Sequence, residues 1–247
     1  MQTVTQTQKT TSYKAVVNLL SKGSTNAKTS KNELETFILY LAPSNTVKEF
    51  NLCPFASSGC IASCLNTAGR GAFSNVQLAR MNKTKFWGYD RPNFYIQLAN
   101  ELLKIHGKAL KYGNKIAIRL NGTSDVDHLN LIERYTGINF LDSFYSYLLF
   151  YDYTKNINHI KRYVGTNYKL TFSRSETNEK ECLTAISLGS NVAAVFQSDL
   201  PGSYKGINVI NGDDTDLRYF DPIGVIIGLK AKGKAKKDKT GFVITQN

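Results

Sequence analysis

Cys53, Cys60 and Cys64 fall inside a single twelve-residue stretch, Cys53-Pro54-Phe55-Ala56-Ser57-Ser58-Gly59-Cys60-Ile61-Ala62-Ser63-Cys64. Its other side chains are mostly small and none is charged, so three thiolates could converge on one point. That is the chemistry of a metal ion or an iron–sulfur cluster. The spacing C-x6-C-x3-C lacks the C-x2-C knuckle of structural zinc sites, and no histidine stands in the loop. Three thiolates on one loop point instead to a cubane, [4Fe–4S], with its fourth iron bound elsewhere. Zinc, and a metal-free set of packing or redox cysteines, remain open on spacing alone. Cys182 is the candidate fourth ligand, because it stands in the first turns of an expected helix on the same face. It also fits an apolar stripe with Ala185 and Ile186, where a buried cysteine is ordinary. His106, His128 and His159 are distant in sequence and read as hydrogen-bonded or solvated side chains.

The elements that must position these cysteines read as alternating short apolar runs and amphipathic segments. Thr36–Leu41 is a strand leading into the cysteine loop; Val76–Trp87 and Phe94–Lys111 are helical in pattern, the second ended by Gly113-Asn114. The alternation continues with strand Lys115–Leu120, helix Val126–Tyr135, strand Leu148–Tyr153, helix Ile157–Val164, strand Tyr168–Phe172, helix Asn178–Leu188 and strand Asn191–Phe196. Gly206–Ile210 and Gly224–Leu229 are further strand candidates. Such a pattern predicts an α/β fold with mainly parallel strands, either a full or partial (β/α) barrel or an open doubly wound sheet. In either, ligands meet the carboxyl ends of the strands, which places Arg119, Asn121, Asp152, Tyr153, Ser173, Arg174 and Gln197 on the cysteine face.

At 247 residues the chain suits one domain, expected over 13–247, with residues 1–12 a flexible, Gln- and Thr-rich lead. An apolar share of 42%, with 14 tyrosines and 13 phenylalanines, excludes a disordered chain. No apolar run reaches the ~18 residues of a membrane span, and Met1–Thr11 has no apolar core of a secretory signal, so a cytoplasmic protein with reduced thiols and no membrane partner is expected. The formal charge of +12 concentrates in the C-terminal segment 230–239, at Lys230, Lys232, Lys234, Lys236, Lys237 and Lys239. Alternation with Ala231, Gly233 and Ala235 reads as a solvated strand or flexible tail, or as a contact for nucleic acid. Tyr145, Tyr147, Tyr151 and Tyr153 could stack on bases or simply pack. Asp213, Asp214, Asp216 and Asp221 could hold a hard cation, or form a turn that pairs with Arg218.

Two blocks carry a family resemblance. Cys53-Pro54-Phe55-Ala56 with Cys60, Cys64 and Gly69-Arg70, and the late run Asn211-Gly212-Asp213-Asp214-Thr215-Asp216-Leu217-Arg218-Tyr219-Phe220-Asp221-Pro222 with Gly228–Gly233, resemble the phage gene product 88 family over about Phe37 to Gly233. The resemblance implies a phage-encoded protein working in an infected bacterial cytoplasm. The layout is also similar to the radical S-adenosylmethionine enzymes, whose barrel carries three cluster cysteines after its first strand. That family's C-x3-C-x2-C motif, with an aromatic before the last cysteine, is not met here, since Ser63 precedes Cys64. Nor does a Gly-Gly-Glu-like segment follow the next strand, where Asn121-Gly122-Thr123 stands. These departures count against S-adenosylmethionine as a cofactor. The expected function is iron–sulfur binding with a redox, sensing or other cluster-dependent role; the alternative is a nucleic-acid-binding protein with a structural metal.

Overall fold

The computed structural model describes residues 13–25 and 34–245; the lead 1–12 lies outside them. Ten strands form the sheet: β1 (Leu20–Lys22), β2 (Thr36–Leu39), β3 (Ile116–Arg119), β4 (Leu148–Thr154), β5 (Tyr168–Ser173), β6 (Asn191–Phe196), β7 (Ser203–Tyr204), β8 (Ile207–Asn211), β9 (Ile226–Lys230) and β10 (Val243–Ile244). Their order across the sheet is β1, β2, β3, β4, β5, β6, β9, β8, β7, with β10 beside β6. Pairing is parallel from β2 through β9 to β8; only the outermost pairs, β1 with β2 and β7 with β8, are antiparallel. The expected α/β fold with mainly parallel strands is present as a mixed, mostly parallel sheet, and among the described residues the strand order does not show a closed barrel.

Among the described residues six α-helices accompany it: α1 (Ser58–Ala62), α2 (Ser74–Tyr89), α3 (Arg91–Tyr112), α4 (His128–Thr136), α5 (Ile157–Tyr163) and α6 (Glu179–Ser187). Successive strand side chains alternate between faces, and every second one packs on these helices. Leu39, Ile116, Ile118, Leu148, Phe150 and Tyr168 meet α2, α3 and α4 through Phe86, Leu98, Leu102 and Ile132. Phe172, Val192, Ala194, Phe196 and Ile226 meet Ile160 of α5 and Cys182 and Ala185 of α6. The opposite, inner face carries Ala117, Tyr151, Ala193 and Ile227, and is covered by Leu217 and, from the 3-10 helix Arg218–Phe220, Tyr219. Helices α2 to α6 therefore share one side, and the doubly wound alternative does not apply.

The late acidic block spans that inner face as a set of tethers. Arg119 pairs with Asp216 at 2.8 Å, and Arg218 with Asp221 at 3.2 Å. Asp213 accepts from the Lys230 amide and the Lys232 ammonium, and Asp214 from Asn211. Each carboxylate is thus engaged within the chain.

The basic segment is neither a free tail nor a simple extended edge. After β9 it turns through a 3-10 helix, Gly233–Lys237, and buries Ala231, Ala235 and Val243 against Val195 and Phe242. β10 then pairs in parallel with Val195 and Phe196, beyond the point where β5 makes its last pair at Ser173 with Ala193. The chain's C-terminal part is thereby laid across the carboxyl end of the sheet.

Candidate functional site

The cysteine loop leaves β2 at the carboxyl end of the sheet. Cys53 opens a turn closed by the Ala56 amide on the Cys53 carbonyl, with Pro54 supplying the fixed φ that such a turn uses. Ser57 caps α1, its Oγ accepting from the Cys60 amide at 3.2 Å. Cys60 sits within α1 and Cys64 just after it, where its sulfur accepts from the Asn66 amide at 3.5 Å. Cys53 donates toward the Thr123 carbonyl at 3.9 Å. All three loop thiols are partly buried.

Burial dominates the electrostatics of these thiols. Burial is the main force raising the Cys53 thiol, to about 12; a Ser44 backbone contact opposes it, and Asp125, Cys64 and Cys60 add to it. Burial likewise raises Cys60, opposed by the charge and hydrogen bond of Lys155 and reinforced by Cys64 and Glu176. On the other side of the loop Arg80 feels the Cys64 charge while it lies over the Tyr40 ring and donates to Asn66. Two cations therefore flank three thiols. Among the described residues, no group of three or more His, Cys, Asp or Glu side chains is gathered so as to hold a metal ion.

Cys182 lies apart, on α6. It is 6% exposed within the cluster formed by Phe172, Ala185, Val192 and Ala194, and its thiol donates to Asn178 Oδ1 at 3.6 Å. Burial raises it to about 12, with Glu179 adding and Arg174 and Lys155 opposing. The charge of Lys155 thus reaches both Cys60 and Cys182.

Around the loop, the strand ends supply anchors that the sequence did not mark. Asp125 accepts from Thr154 Oγ1 and the Lys155 amide, at 2.7 and 2.8 Å, while its own amide donates to the Leu52 carbonyl. His159 lies between Asp125 and Asp127, at 3.8 and 3.9 Å. Glu176 accepts from Ser57, Ser58 and the Gly59 amide; burial works against its charge, but these bonds hold its carboxyl below the usual range. Lys155 follows β4 by one residue and could have been found by extending the strand-end rule past Tyr153. Asp125 and Glu176 left no such signal, since loop neighbours are set by the fold.

The expected ligand-face residues are mostly structural. Asp152 faces the helices, fully buried, and accepts from the Leu120 and Asn121 amides and Tyr168 Oη. Burial lifts its carboxyl to about 7 against the pull of Arg119 and these bonds. Asn121 closes the loop after β3 through Val126 and Ser124. Arg174 donates to the Gly241 and Phe242 carbonyls, and Gln197 to Lys236, so both hold the C-terminal segment in place. Tyr151 is buried and Tyr153 packs part-buried against Ala193 and Ile227 on the inner face, while Tyr145 and Tyr147 precede β4 at the opposite end of the sheet.

A family model for gene product 88 matches residues 18–246. The chain belongs to the gene product 88 family. The match takes in both blocks, the cysteine loop and the Asn211–Pro222 run, and extends past the expected limits of Phe37 and Gly233 to include β1 and β10 of this family member. No curated protein and no solved structure matches the chain. The family is one of phage gene products, and no helix among the described residues is long and apolar enough to cross a membrane.

Proposed function

We propose that this chain binds an iron–sulfur cluster, [4Fe–4S], through Cys53, Cys60 and Cys64, and serves a redox, sensing or other cluster-dependent role. The observation that carries the reading is the placement of three part-buried thiols on one loop at the carboxyl end of a parallel sheet, with Arg80 and Lys155 beside them. Left as thiols, such groups gain nothing from being neighbours. A cationic iron group supplies the charge that deprotonates them, and the two flanking cations offset the remaining negative charge of the thiolates. Three thiolates on one loop with no histidine beside them are the donor set that a cubane takes at three of its corners.

The radical-SAM-like layout is supported by a cysteine loop following a strand of a parallel sheet with its helices on one face, and opposed by the absent C-x3-C-x2-C motif. Cys182 as a fourth ligand would have to leave its apolar cluster and its bond to Asn178. The reading therefore keeps Cys182 in the core.

Anaerobic reconstitution tests this directly. Brown protein with absorbance near ~400 nm, and about four irons and four sulfides per chain, is expected. Cys60→Ala should lose that iron while keeping its far-UV spectrum, and Cys182→Ala should retain it. Colourless protein holding zinc or no metal overturns the cluster; iron lost from Cys182→Ala, with folding intact, restores the four-cysteine set. The runner-up, nucleic-acid binding with a structural metal, draws only on the exposed lysines of the C-terminal segment.

A further inference from the structure

Exposed lysines alone do not say what binds them; their neighbours do. The 3-10 turn Leu65–Thr67, which follows Cys64, lies against the Gly233–Lys237 turn, where a Cβ at Gly233 would stand 3.5 Å from Ala68 Cβ. Gly59 of α1 abuts Thr240 and Phe242. The loop thus meets the basic segment at two points, and together they form one continuous surface.

The segment supplies the charge. Lys230 and Lys232, at its start, are paired with Asp199 and Asp213. Lys234, Lys236, Lys237 and Lys239 are exposed and make no ion pair among the described residues. Asp238, the one acid between Ala231 and Thr245, accepts from the Thr240 and Val243 amides and so faces its own backbone. That backbone is fixed, since Ala231, Ala235 and Val243 are buried and Arg174 and Gln197 donate to its carbonyls. The loop supplies aromatic rings. Phe55 opens it and Phe73 stands just before α2, 50% and 59% exposed, with the exposed Ile61 and Leu65 between them in sequence. Grouped exposed side chains of this size mark contact sites more often than chance surface.

We propose that this face binds single-stranded nucleic acid, with the four lysines on phosphates and Phe55 and Phe73 as platforms for unstacked bases. The combination of groups selects this occupant. Lysine is depleted where proteins meet, and arginine enriched, whereas a phosphate chain carries one sign throughout and suits compact ammonium charges. A duplex keeps its bases stacked and would leave both rings without a partner. An unpaired strand offers charge and π faces together, and the chain's excess of +12 adds to the attraction. No cysteine takes part, so the proposal stands or falls apart from the cluster reading.

The test titrates the full chain into labelled oligo-dT and oligo-rU strands of ~20 nucleotides, and into an abasic strand of the same length, by fluorescence anisotropy. Four phosphate contacts give a log–log salt slope of about −3, a loss of about 50-fold in affinity between ~50 and ~200 mM salt. The combined variant Lys234→Gln, Lys236→Gln, Lys237→Gln, Lys239→Gln should remove about that much slope and weaken binding at least ~10-fold at ~50 mM salt. Phe55→Leu with Phe73→Leu keeps the apolar bulk and loses the π faces. It should weaken oligo-dT about tenfold with the slope unchanged, and leave the abasic strand bound as before. Absence of binding to both base-bearing strands at ~50 mM salt, a lysine variant with the parent's slope, or a leucine variant that holds oligo-dT as the parent does, each overturns the proposal. So does a duplex or a polyglutamate chain that competes as well as oligo-dT, the latter assigning the face to an acidic protein.

Discussion

His128 opens α4 with its ring fully buried against Phe94 and Tyr95. Trp87 Nε1–H donates to Tyr95 Oη at 2.9 Å, which leaves the tyrosine proton for His128 Nδ1 at 3.2 Å. Nδ1 is then the acceptor and Nε2 carries the proton in the neutral ring. Burial drives the ring's pKa down to about 3. In the unfolded chain the same ring titrates near ~6.5. As pH falls below that value the unfolded state takes up a proton that the folded state refuses, so stability declines on acidification until the folded pKa is reached. At pH ~4.5 the effect amounts to about 2–3 kcal/mol. Urea unfolding at pH ~7 and ~4.5 should show the parent losing that much more stability than His128→Gln, whose amide oxygen can still accept from Tyr95. Equal losses would remove His128 as an acid-sensitive group.

At the scale of elements, the five-residue α1 is held by close approach. A Cβ at Gly59 would stand 2.3 Å from Thr240 Oγ1 and 2.8 Å from both Glu176 Oε2 and Phe242 Cβ. Gly59→Ala must push the cysteine loop away from the C-terminal segment and from its carboxylate cap, at a cost of about 1–3 kcal/mol. Gly107 is the control: it is exposed in α3, with no atom within 4 Å of where an alanine methyl would stand, so Gly107→Ala should stabilise by about 0.5–1 kcal/mol. Thermal melts of the two variants should move in opposite directions; a Gly59→Ala melt equal to the parent's would mean that loop and segment do not share a contact. The sequence made the central elements plain, because buried parallel strands are continuous apolar runs and each was followed by a 3.6-residue pattern. It did not reveal β1 or β10, of three and two residues, whose partners are distant in the chain. Nor did it expose the anchoring of residues 231–244, since the buried side chains there include two alanines set among lysines. At the site the three cysteines were legible from spacing, whereas Asp125, Lys155 and Glu176 meet them only because neighbouring strand ends do.

On the scale of the whole molecule, stability should be graded from the sheet's centre to its borders. β4 is buried along nearly its whole length, with β3 and β5 on either side; β1 is a three-residue border strand, and β7 and β8 are half-exposed. Amide exchange measures such local opening free energies. It should be slowest through Leu148–Thr154, fastest in β7 and β1, and intermediate in residues 231–244, where β10 contributes only two paired residues to the sheet. Binding of the proposed cluster would stabilise only states in which the loop is closed, so protection should rise with iron loading by mass action. Because Gly59 lies against Thr240 and Phe242, and Glu176 caps α1, that added protection should appear together in residues 53–67 and 231–244 while β4 stays unchanged. Protection confined to the loop would show that the C-terminal segment is not mechanically joined to it. Protection spread evenly over the sheet would mean that iron acts on global unfolding rather than on this end of the molecule.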